Sequence, residues 1–134
     1  MIELNADLGG GKTTFVKGLV RGLGGKGVVS SPTFTINRIY MLRDGFTLHH
    51  FDFYRLAEPG IIWAQLSESL NDPKTITVVE WADSFKSILP GERLSISLQV
   101  SATNAGHRQI TIRYADDQTG LVKKLESSWK ESRP

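Results

Sequence analysis

The stretch "ADLGGGKTT", Ala6–Thr14, decides how this chain folds. Ahead of it, Met1–Leu4 reads as the stub of a strand. Behind it, Thr13–Leu23 carries Phe15, Val16, Leu19, Val20 and Leu23 as one apolar helical stripe, with Lys17 and Arg21 facing elsewhere. A strand, a glycine-rich turn and a helix opening on Lys and Thr are the parts of a phosphate-binding loop. Gly9, Gly10 and Gly11 can take dihedrals that aim successive N–H groups inward as an anion nest. The helix start adds unpaired N–H groups and a partial positive charge. Lys12 can then reach the β- and γ-phosphates of a nucleotide, and the Thr13 hydroxyl can ligate Mg²⁺. Ala6 stands where the usual pattern has glycine; it is harmless there if its φ is negative and costly if φ is positive.

Working outward, Gly22, Gly24, Gly25 and Gly27 end the helix and lead into "VVSSPTFT". Ile36–Leu42 and Thr47–Tyr54 read as two strands of a hairpin around the turn Arg43-Asp44-Gly45. Pro59–Leu70 reads as a helix, broken by Asn71-Asp72-Pro73. Thr75–Trp81, "TITVVEW", is rich in β-branched residues and reads as a buried strand. A short helix over Ala82–Leu89 stops at Pro90-Gly91. Arg93–Val100 alternates, with Leu94, Ile96, Leu98 and Val100 on one face; Ile110, Ile112 and Tyr114 repeat the alternation, predicting a second antiparallel hairpin with one face in the core. Gln118–Trp129 reads as a closing helix, and residues 130–134 as a frayed tail. The fold class expected is α/β: a mixed sheet flanked by helices, with antiparallel hairpins, of the P-loop NTPase type.

Composition bounds the function. With 134 residues and 40% apolar content, the chain fits one soluble domain over 1–134. No apolar run approaches a membrane span, and no basic-then-apolar leader is visible. The absence of cysteine excludes disulfides, thiol catalysis and cysteine metal sites. Residues 1–43 carry six basic residues against two acids, which suits a polyanion such as a nucleotide or RNA and equally a solvated basic helix face.

Further residues could complete a site. Glu80 ends the strand "TITVVE", and ligands of open α/β sheets sit beyond the carboxyl ends of their strands. A carboxylate there can hold Mg²⁺ or orient an attacking water. Asp52, in "HHFDFYR", is a second acid for a magnesium shell; its plain alternative is a pair with Arg55. His49 and His50 point to opposite faces of a strand, so packing or hydrogen bonding suits them better than shared metal ligation. Thr33 and Thr35 of "SSPTFT" are candidates for a γ-phosphate-sensing loop. Trp81 and Trp63 could contact a base or a partner, although tryptophan is more often core.

Taken together, "DLGGGKTTFVKGL", "SSPTFT", "HHFDFYRL", "VVEWAD" and "LPGERLSISL" resemble, in order and spacing, the TsaE (YjeE) family of bacterial P-loop ATPases required for threonylcarbamoyladenosine modification of tRNA. The resemblance spans roughly residues 4 to 100 and is far more specific than the loop alone. It implies an ATP site with Mg²⁺. The nucleotide contacts would be Leu8, Gly9, Gly10, Gly11, Lys12, Thr13, Thr14, the switch residue Thr33 and Trp81. Lys12 and Glu80 would be catalytic, and Thr13, Glu80 and Asp52 would lie around the metal. It implies a weak, partner-dependent ATPase that resets or regulates a TsaD–TsaB transferase acting on adenosine 37 of tRNA, in the cytoplasm, with tRNA met indirectly or weakly and no membrane involved. A nucleotide-gated scaffold with little hydrolysis is the alternative, and a small-molecule kinase a more distant one, since no arginine-rich lid segment is visible. The family's layout also places a helix and a strand of roughly two dozen residues ahead of the loop. Five residues stand there in this sequence, so a domain without that helix and strand is expected.

Overall fold

The computed structural model describes residues 1–58 and 60–132. Six strands form one sheet, interleaved with three α-helices: β1 (Ile2–Asn5), α1 (Lys12–Gly22), β2 (Asn37–Met41), β3 (Thr47–Asp52), α2 (Gly60–Asn71), β4 (Thr75–Glu80), β5 (Leu94–Val100), β6 (Arg108–Arg113) and α3 (Thr119–Glu131). The sheet order is β2-β3-β4-β1-β5-β6. Strands β3, β4, β1 and β5 run parallel, and the two hairpins put antiparallel β2 and β6 on the edges. This is the mixed α/β sheet that the residue pattern predicts. Short as it is, β1 lies at the centre, paired with β4 through Ile2–Leu4 and with β5 through Ile2–Asn5.

Period-two alternation splits the core between the two faces of the sheet. On one face Leu4, Leu48, Val78 and Ile96 pack with Val16 and Val20 of α1. On the other, Phe51 and Val79 pack with Ile62 and Leu66 of α2 and with Phe85. Parity then assigns His50, Asp52 and Glu80 to the α1 face, since they lie an even number of positions from Leu48 and Val78. The phosphate-loop helix and both candidate acids therefore share one side of the sheet.

Phe51 is fully buried, and its ring and those of Phe53 and Phe85 form a chain with centroids 6.1 and 5.1 Å apart. Replacing Phe51 with alanine is expected to cost about 3–5 kcal/mol of stability. A urea titration would read this as a lowered midpoint with an unchanged slope.

Four local readings are revised. Residues Asp83–Ile88 form a 3₁₀ rather than an α-helical segment, with Ala82 and Phe85 buried beneath it. The second hairpin forms, but only Ile96 and Leu98 of its apolar face are fully buried; Val100, Ile110 and Tyr114 are exposed, because the α1-side core ends at Ile112. α3 buries Val122 and leaves Leu121, Leu125 and Trp129 exposed, so it does not close the core as a helix with an inward stripe would. Trp63 is likewise exposed rather than core. The predicted helix start at Pro59 and residues 133–134 of the predicted tail lie outside the described residues. Among the described residues no helix is long and apolar enough to cross a membrane.

Candidate active site

The loop after β1 is shaped by three glycines with different tasks. The Gly10 N–H donates to the Asp7 carbonyl at 2.8 Å, closing a tight turn. Gly9 and Gly11 have φ of 75° and 105°, a region that disfavours any side chain. A Cβ on Gly10 would lie 2.6 Å from the Ala6 methyl and 2.8 Å from the Asp7 carbonyl oxygen. Ala6 itself is absent from the residues with positive φ, so its side chain is tolerated and its methyl packs against Gly10. α1 starts at Lys12 with Gly11 as its cap, no side-chain capping bond and no acid in the first turn. Its first N–H groups are thus left for an outside anion.

Lys12 is 8% exposed. Its ammonium donates to the carbonyls of Ala6 at 2.8 Å and Asp7 at 3.3 Å, and lies 4.6 Å above the centre of the Trp81 ring. Two of its three donors are thereby used, and the third is open to another acceptor. Trp81 is held for this by its backbone: φ is 56°, an unusual value for a bulky side chain that costs about 1–3 kcal/mol. Tyr54 tilts against the same indole with centroids 4.9 Å apart. A cavity of about 260 Å³ opens beside this cluster, with Ala6, Asp7, Trp81, Asp83 and Gln99 in its wall.

The two acids meet at the carboxyl ends of neighbouring parallel strands. Asp52 and Glu80 are register partners across β3 and β4, and Leu4, just before the loop, is the partner of Glu80 on its other side. Both are buried, at 3% and 2% exposure. Asp52 accepts from the Thr33 hydroxyl at 2.8 Å and from the Tyr54 N–H at 2.9 Å. Glu80 Oε1 pairs with His50 Nε2 at 2.7 Å inside the protein, while His50 Nδ1 has no hydrogen-bond partner among the described residues. With the proton on Nε2, the imidazole donates to the carboxylate.

Most of the residues singled out from sequence converge here, and several resolve differently. Thr33 joins Asp52, whereas the Thr35 hydroxyl turns back to the Pro32 carbonyl at 3.4 Å. Thr13 is half-buried at the start of α1; Thr14 is exposed, as is Leu8 at 72%. Asp52 makes no ion pair with Arg55, which stacks on Phe34 at 4.9 Å. His49 points away from Glu80; burial lowers its pKa, while Asp72 and Glu68 pull it upward. Among the described residues no three His, Asp or Glu side chains converge as a ready-made metal cage. His50 makes the hydrogen bond that suited it better than metal ligation, and its partner is Glu80. One participant escaped sequence reasoning. Arg108, whose guanidinium reaches the loop backbone, carries no local signal because it lies 98 residues from Gly10.

A scan of protein families matches residues 1–110 to the family described as threonylcarbamoyl adenosine biosynthesis protein TsaE. Among curated relatives, the tRNA threonylcarbamoyladenosine biosynthesis protein TsaE of Haemophilus influenzae is 36% identical over 98 residues, 73% of this chain and 61% of that protein. The protein of the same description from Bacillus subtilis is 39% identical over 112 residues, 83% of this chain and 67% of that one. This chain therefore spans about three fifths to two thirds of the length of these two relatives. The crystal structure of YdiB from Bacillus subtilis superposes with a TM-score of 0.73 at 32% identity, covering 96% of this chain and 77% of that one.

Proposed function

The chain belongs to the TsaE family, and from that premise we propose that it binds and slowly hydrolyses ATP at the Gly9–Thr13 loop in the service of tRNA threonylcarbamoyladenosine synthesis. One observation carries the reading. A loop with left-handed glycines and an uncapped helix start, a buried lysine, and two buried carboxylates at adjacent strand ends all lie on one face of the sheet. In this reading the amides of Gly9, Gly11 and the first turn of α1 bind the phosphate chain, flanked by Leu8, Gly10 and Thr14. Lys12 extends its open donor toward the β- and γ-phosphates, and Trp81 lines the same wall.

The residues also fit Mg²⁺. Magnesium is commonly held by one or two carboxylates together with phosphate oxygens and water, and two buried carboxylates stand at adjacent strand ends here. Thr13, Asp52 and Glu80 would hold it, and it would supply charge neutralisation on the phosphates. Glu80 orients the attacking water for in-line displacement, and His50 holds the carboxylate in place. Thr33 links the loop containing "SSPTFT" to Asp52.

The existing bonds support slow basal turnover. Lys12 has two donors on loop carbonyls, and Glu80 has one oxygen on His50. Both must share or exchange these partners to engage a γ-phosphate and a water. A TsaD–TsaB type complex is the proposed partner that favours the rearrangement and is reset by hydrolysis. The site of action is the cytoplasm, with tRNA met through that complex.

Phosphate release from ATP, measured with and without the transferase pair, tests the hydrolytic reading: turnover raised by the pair supports it, and none in either condition overturns it. The loop geometry yields a separate expectation. Gly10→Ala would push its methyl into Ala6 and the Asp7 carbonyl, so ADP affinity should fall about tenfold or more by calorimetry.

A further inference from the structure

Arg108, the first residue of β6, reaches from the β5–β6 hairpin to the backbone of the phosphate loop. Its Nε donates to the Gly10 carbonyl at 3.0 Å, and Nη2 lies 3.5 Å from the Gly9 carbonyl. Nη1 meanwhile donates to the carbonyls of Ala105 at 2.9 Å and His107 at 3.1 Å, within its own hairpin. The hairpin end is braced as well: the Ser101 N–H donates to His107, and the His107 N–H donates to Asn104. One planar guanidinium thus ties a braced turn to two glycine carbonyls.

The consequence follows from peptide geometry. In a trans peptide the C=O and N–H point in opposite directions. Fixing the Gly10 carbonyl on Arg108 therefore turns the Gly11 N–H away from the arginine, toward the opposite side of the loop. Glycine is the residue with the most conformational freedom to lose, so a run of three is the part of the loop least able to hold this orientation unaided. A rigid five-donor fork suits the task better than a flexible ammonium would.

We propose that Arg108 is a positioning residue for the phosphate loop, holding the Gly9 and Gly10 carbonyls outward so that phosphate affinity depends on the β5–β6 hairpin. This rests on the nucleotide reading above. The test is calorimetric binding of inorganic pyrophosphate and of ADP to the wild-type protein, Arg108→Gln, Arg108→Lys and Lys12→Ala, with melting temperatures measured alongside. Arg108→Gln should weaken both ligands about tenfold while its melting temperature stays near wild type, because the residue is exposed and its hydrogen bonds go to loop and hairpin carbonyls. Arg108→Lys, which keeps the charge without the fork, should recover only part of the loss. A merely stabilising arginine would show the reverse, a lowered melting temperature with pyrophosphate affinity intact, and that result overturns the proposal. Full recovery in Arg108→Lys also overturns it, since charge alone would then suffice. If wild type binds and only Lys12→Ala is impaired, the role of Arg108 fails alone; if wild type binds neither probe, the nucleotide reading fails and takes this role with it.

Discussion

Lys12→Ala is expected to abolish the partner-stimulated turnover of ATP, lowering it by about 10²–10³-fold. Lys12 is the one ammonium in the loop, and it is nearly buried. A charge in such a position acts with little screening, so its loss is felt most where negative charge moves during phosphoryl transfer. Nucleotide affinity should fall less than turnover, because the loop amides and the helix start remain. The substitution also frees the Ala6 and Asp7 carbonyls and removes the cation from the face of Trp81. Indole fluorescence should therefore shift even without nucleotide. Phosphate release in the presence of the transferase pair checks the main effect; turnover equal to wild type would remove Lys12 from the mechanism.

Glu80→Gln is expected to lower turnover by about 10²–10³-fold while leaving ATP binding within a few-fold of wild type. Glutamine keeps the size of glutamate and can still accept from His50 Nε2, so the pair at 2.7 Å has a neutral replacement and the fold is retained. What is lost is the carboxylate charge at the end of β4. Glu80→Ala separates the two roles. It would leave His50 with both ring nitrogens unpartnered in a fully buried position, since Nδ1 already has none among the described residues. That should cost a further 1–3 kcal/mol or so of stability, visible as a lower melting temperature that Glu80→Gln does not share. If Glu80→Gln and wild type hydrolyse ATP at the same rate, Asp52, the register partner of Glu80, becomes the acid to test.

How much of this was legible in the residues depends on how local each signal is. The loop and α1 are contiguous, so glycines, lysine and an apolar stripe at helical spacing specify them directly. The strand "TITVVE" is marked by its β-branched residues and ends at Glu80, where the structure ends it. The placement of Asp52 beside Glu80 was open, because register between β3 and β4 is a through-space property. Ala6 turned on a single dihedral, which residue type alone does not fix; in the structure its φ is not among the positive ones, and its methyl sits against Gly10, four residues away. The left-handed backbone of Trp81 gave no warning, since such conformers are rare for aromatic residues and are imposed by surrounding structure. The alternation in β6 correctly predicted a strand but overstated its burial, because alternation reports a face and not what covers it. Arg108 is the extreme case: only the fold brings it to the loop.

The central claim is that ATP hydrolysis at this loop resets the machinery that modifies tRNA. Its most direct test is multiple-turnover formation of threonylcarbamoyladenosine on tRNA by this protein with a TsaD–TsaB pair and threonylcarbamoyl adenylate, comparing ATP with a non-hydrolysable analogue. Repeated rounds with ATP and no more than a single round with the analogue are the predicted result. Sustained turnover with the analogue, equal to that with ATP, would contradict the claim and leave a nucleotide-gated scaffold in its place.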